Sequence, residues 1–144
     1  MLAVFRWVDN TAELELEIEA STKEGVFADA LAALAELLAT EPEVQLRAGH
    51  EREGRPSVTR RVSAEAEDRP ALLAAWMEEL VFLAETQGFE PLAVQALELG
   101  PRSAKATVTG RLGRPPPLVK AVTYHRLSFA PAGDGYRATV VLDV

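Results

Sequence analysis

Three carboxylates stand where oxygen chemistry is available. Asp9 and Glu13 flank a polar bend, and Asp143 is the penultimate of the 144 residues. Hard divalent cations take several oxygen ligands, which carboxylates and backbone carbonyls supply. On residue type alone two readings stand side by side, cation ligands or solvated carboxylates at strand ends. His50 and His125 are the two histidines, and nothing in their placement makes them a metal pair. As a lone residue, His125 reads as structural. The absence of cysteine excludes disulfides, zinc–thiolate sites and thiol catalysis. No G-x-x-x-x-G-K, G-x-G-x-x-G or G-x-S-x-G is present, so no phosphate loop, dinucleotide site or hydrolase elbow is signalled.

The elements that must position these groups are legible from periodicity. Residues 2–8 read as a short strand, followed by the polar knot Asp9-Asn10-Thr11. From Glu13 to Ala20 the chain alternates, with Leu14, Leu16 and Ile18 on one face and Glu15, Glu17 and Glu19 on the other. That period of two predicts a half-buried strand. Ser21-Thr22-Lys23-Glu24 matches a capping box with Ser21 as the cap. Phe27, Leu31, Leu34 and Leu38 follow at helical spacing, and Pro42 blocks continuation.

Residues 42–57 read as a loop or irregular hairpin, and Ser57–Glu65 as a strand. Asp68 is placed to cap a second helix, with Pro70 in its first turn, a buried stripe of Leu72, Leu73, Trp76, Leu80 and Leu83, and Gly88 as its stop. Strands are expected over 92–99, 104–112, 119–129 and 136–144, with a turn at Gly133-Asp134-Gly135. If Phe129 pairs with Tyr136, Asp143 faces Val122, with Lys120 and Tyr124 diagonal to it. The sum is an α+β domain of two layers over residues 1–144: a largely antiparallel sheet with two helices packed on one face.

Apolar residues make up 48% of the chain, enough for a real core and too many for a disordered one. No stretch approaches the roughly 20 apolar residues of a membrane-spanning helix, and the first residues do not read as a secretory signal. A soluble, cytoplasmic protein is expected. The net charge of −7 argues against stable, direct binding of nucleic acid over the whole surface. Residues 1–100 carry 8 Lys/Arg against 20 Asp/Glu, and residues 101–144 carry 7 against 2. Either acidic helices precede strands with basic edges, or the molecule is dipolar with a basic patch.

Val119-Lys120-Ala121-Val122-Thr123-Tyr124-His125, followed by Val140-Val141-Leu142-Asp143-Val144, resembles the C-terminal signature of the archease family, V-K-A-x-T-Y-H and a hydrophobic run closing in D-V or D-I. Val8-Asp9-Asn10-Thr11-Ala12-Glu13 is similar to the family's D-H-T-A-D block. Leu72-Leu73-Ala74-Ala75-Trp76-Met77-Glu78-Glu79-Leu80-Val81-Phe82 is similar to its L-L-x-x-W-L-N-E-L-L-Y helix. The three blocks occur in family order across nearly the whole chain.

The resemblance implies a non-catalytic helper of the tRNA-splicing RNA ligase, promoting guanylylation of the ligase and its turnover. It also implies a divalent metal, calcium above all, on an acidic tip. By position its ligands are Asp9, Glu13 and Asp143, with the backbone at Val144 as an oxygen donor and Lys120 and His125 in support. The departures bear on the site more than on the fold. Asn10 stands at the family's His, and Glu13 at its second Asp, moving the oxygen by about 1.5 Å, one bond length. Gly113-Arg114-Pro115-Pro116-Pro117-Leu118 replaces a D-x-x-R-H-like element. The competing readings are a chaperone-like module for a tRNA-modifying enzyme such as a methyltransferase, and a metal-dependent hydrolase. The hydrolase lacks a general base or nucleophile beside its acids.

Overall fold

In the computed structural model the described residues are 4–10, 12–39, 56–113, 115 and 117–144. The alternating segment forms β2 (Glu13–Ala20), and the residues before it form β1 (Val4–Asn10). Leu16, Ile18 and Ala20 are buried while the glutamates between them face outward, as the period of two requires. Helix α1 (Lys23–Leu38) follows. Its cap is Thr22 rather than the expected Ser21: the Thr22 hydroxyl accepts from the Gly25 amide at 2.9 Å. The helix therefore starts one residue later, with Glu24 in the first turn. Most of the expected loop at 42–57, and His50 with it, lies outside the described residues.

Strand β3 (Ser57–Glu65) precedes helix α2 (Arg69–Gln87). Asp68 caps this helix, its carboxylate accepting from the Ala71 amide at 2.9 Å. Gly88 ends it in the left-handed conformation, φ 64°. A Cβ at Gly88 would lie 2.5 Å from the Gly113 carbonyl oxygen, so glycine is required there on two grounds. The remaining strands are β4 (Phe89–Leu99), β5 (Ser103–Leu112), β6 (Ala121–Ala132) and β7 (Gly135–Asp143).

The α+β class and the two helices are as the pattern predicts, and the strands divide into two antiparallel sheets. One has the order β1-β2-β7-β6 and the other β3-β5-β4. The break falls between β5 and β6, where Pro115 and Pro117 have no N–H to donate to a ladder. Pro91 and Pro131 lie in β4 and β6, both edge strands, where a missing donor is tolerated. Each helix packs against both sheets, α1 on β2 and β4, α2 on β6 and β3. Trp76 sits at the centre of this core, wholly buried, with its indole N–H donating to the Phe27 carbonyl at 3.0 Å. Its ring meets Phe27 edge to face at 5.9 Å. No described helix is long and apolar enough to cross a membrane.

Candidate metal centre

The sheet order places β2 beside β7, and their register sets Glu13 directly opposite Asp143. Cross-strand partners share a face, with Cβ atoms about 4.5–5.5 Å apart. These two carboxylates, distant in sequence, are therefore neighbours on the outward face at one end of the sheet. Backbone bonds fasten the corner: Val144 N–H donates to the Ala12 carbonyl at 3.1 Å, and Lys120 N–H to the Asp143 carbonyl at 2.8 Å. Ala12 takes φ 59°, the left-handed turn that reverses the chain between β1 and β2.

Asp9 lies at the same end but pairs with Leu14, and so belongs to the opposite, core-side face. Among the described residues no group of three or more His, Cys, Asp or Glu is placed to hold one ion. The register thus brings two of the three candidate carboxylates together, Glu13 and Asp143, and leaves Asp9 on the other face. Lys120 and Tyr124 have exposed side chains, and His125 is exposed with its backbone N–H on the Thr123 hydroxyl at 3.3 Å.

The register expected for Asp143 needs correction. The two-residue turn at Gly133-Asp134 makes Ala132 oppose Gly135 and Phe129 oppose Ala138, not Tyr136. Between the pairs Thr123–Val141 and Ser128–Thr139, β6 inserts Tyr124, His125, Arg126 and Leu127 where β7 has only Val140. This bulge shifts the ladder, and Asp143 faces Ala121 instead of Val122.

Arg126, inside the bulge, belongs to no motif or periodic pattern that would single it out. Its Nε donates to Glu15 at 2.8 Å and its Nη2 to Glu13 at 3.3 Å. Those hydrogen bonds and charges, Glu15 first, hold the guanidinium pKa above its ordinary value. The other outward glutamates are matched likewise, Glu17 by Arg6 and Glu19 by Arg137 at 2.8 Å. The available signal was the unmatched row of glutamates in β2 together with the surplus of arginine after residue 100.

A family model described as the Archease protein family (MTH1598/TM1083) matches residues 5–144. Protein archease of Pyrobaculum neutrophilum is 27% identical over 99% of this chain and 96% of its own length. The probable protein archease of Mycobacterium tuberculosis is 29% identical over 96% of this chain and 74% of its own. Among solved structures, Methanobacterium thermoautotrophicum protein 1598 superposes with a TM-score of 0.68 at 25% identity, covering 97% of this chain and 98% of that one. An archease of Thermotoga maritima, described as a possible chaperone, shares the fold with a TM-score of 0.64 at 19% identity, over 95% and 94% of the two chains.

Proposed function

Because the chain belongs to the archease family, we propose that it is a non-catalytic protein cofactor that activates a tRNA-splicing RNA ligase, promoting guanylylation of the ligase and its turnover. The acting part is the acidic corner of Glu13 and Asp143, with Val144 anchoring its backbone and Asp9 at its rim. The observation that carries this reading is the Glu13–Asp143 register pair, which joins the two blocks carrying the family resemblance. A divalent cation, calcium by the hardness of the donors, supplies positive charge at that corner when bound. The chain's own residues hold the two carboxylates side by side on a rigid ladder. With a net charge of −7 the protein suits a basic, RNA-binding enzyme better than RNA itself. Together with such a partner the protein would act in the cytoplasm.

The test is ligase guanylylation with and without the purified protein at saturating calcium. Wild type should stimulate, Asp143→Ala should not, and Asp143→Glu should fall between. Equal stimulation by wild type and Asp143→Ala would transfer the function to the sheet edges. The chaperone-like module for a tRNA-modifying enzyme would then be the better account.

A further inference from the structure

Helix α2 leaves a large aromatic side chain in water. Phe82 is 55% exposed, and the exposed Glu78, Glu79 and Glu85 stand one turn to either side of it, at i−4, i−3 and i+3. Among the described residues none of these three is in an ion pair, whereas the glutamates of β2 are met by arginines. The one basic residue of α2, Arg69, lies at the far end of the helix. Glu85 sits in the last turn, where the helix dipole disfavours negative charge and no basic residue offsets it. Helix stability alone would favour the opposite charge there.

Beside this ridge lies an apolar groove of about 330 Å³. Its walls are Leu38 of α1, Val81 and Ala84 of α2, and Pro115, Pro117 and Leu118 between β5 and β6, and Glu85 also lines it. Leu118 is 43% exposed. The proline wall is fastened at both ends: Gly113 N–H donates to the Gly88 carbonyl at 2.7 Å, and Val119 is buried. Proline fixes its own φ, so the wall is preformed and binding costs little further order. An exposed aromatic beside a preformed apolar groove is the anatomy of an interaction surface.

Charge selects the occupant. The three carboxylates repel the phosphates of nucleic acid or lipid, and they repel the same face of a second copy brought up across a two-fold axis. We propose that this face of α2 docks a lysine- or arginine-rich amphipathic helix of a partner protein. The apolar side of that helix covers Phe82 and fills the groove, while its cations meet Glu78, Glu79 and Glu85. The charges at the rim speed association, and Phe82 with the groove holds the complex. The surface uses neither Glu13 nor Asp143, so it stands or falls separately from the ligase reading.

Fluorescence anisotropy with a labelled amphipathic peptide of leucine and lysine, and with its leucine and glutamate counterpart, tests this. Circular dichroism melts check that each variant is folded. Wild type should bind the lysine peptide and not the glutamate one. Phe82→Ala and Leu118→Ser should each weaken binding about tenfold, the scale of an interface anchor. The triple change Glu78→Gln, Glu79→Gln and Glu85→Gln should weaken it and flatten its salt dependence. Glu24→Gln, on the exposed side of α1, should leave it unchanged. On binding, the amide resonances of residues 78–88 and 118–119 should move. Unchanged binding by Phe82→Ala, or shifts centred on the glutamates of β2, overturns the surface, because the peptide is then following charge alone. No binding by wild type overturns it as well. Self-association of wild type in sedimentation, lost in Phe82→Ala, makes a second copy the occupant and overturns the partner protein.

Discussion

Trp76 and Asp29 show how differently single residues act on this fold. Trp76 fills the space between the helices and bonds the Phe27 carbonyl from a fully buried position. Trp76→Ala should cost about 3–5 kcal/mol in chemical denaturation, the range for large aromatic truncations. Trp76→Phe, which keeps a ring for the edge contact with Phe27, should cost clearly less. Asp29 on α1 has a buried carboxylate oxygen with no hydrogen-bond partner, and burial raises its pKa. A raised folded-state pKa means that the folded chain holds its proton to higher pH than the unfolded one. Stability is therefore lost as pH rises through the window above the ordinary carboxylate value. Asp29→Asn should raise the melting temperature at pH 7 by about 1–2 °C, the scale of a partly exposed site. The gain should vanish in acid; a gain persisting below pH 3 would point to packing instead.

At the level of elements, the alternation in β2 and the apolar stripe of α2 were readable because burial imposes the periods of strand and helix directly. The Asp68 cap and the Gly88 stop were readable because few residue types do those jobs. The Ser21–Thr22 ambiguity was not, because both hydroxyls can accept and only the first helical turn decides between them. The bulge in β6 was equally hidden. Tyr124-His125-Arg126-Leu127 carries no glycine or proline to mark it, and so the register at Asp143 came out one residue off. For the site, the nearness of Glu13 and Asp143 follows from β2 pairing with β7, a long-range contact that only the family resemblance suggested, since periodicity carries no information on strand partners. A different element-level constraint sits at Gly110 of β5, where an added Cβ would approach the Glu90 carbonyl oxygen to 2.3 Å and the Phe89 ring to 2.6 Å. Gly110→Ala should destabilise by about 1–3 kcal/mol, as overpacking does, and hydrogen exchange should show β4 loosening before β7.

Across the whole molecule, the charge asymmetry of the sequence becomes an interleaved lattice. Arg6, Arg126 and Arg137 come from three strands and meet the glutamates of β2 from both sides. The surplus of positive charge after residue 100 thus supplies neighbours for the acidic strand as well as strand edges. Pairs this exposed contribute little each, because water and salt screen them. Arg137→Gln should therefore shift the melting temperature by no more than about 3 °C, and raising salt should shrink even that difference. A larger, salt-insensitive loss would show that Arg137 matters through packing of its stem.

The strand order β1-β2-β7-β6 has a consequence for synthesis on the ribosome. The four-stranded sheet cannot assemble when β1 and β2 emerge, because the second partner of β2, beside β1, is residues 135–143. Until then the inward face of β2, with Leu16 and Ile18, and one whole row of its amides and carbonyls have no sheet to join. Such late, non-local pairing slows folding and leaves an unpaired edge open to other chains. Nascent chains arrested before residue 135 should be cleaved by protease throughout β1 and β2, and should recruit general chaperones. Chains released after β7 has cleared the exit tunnel should become resistant in one step.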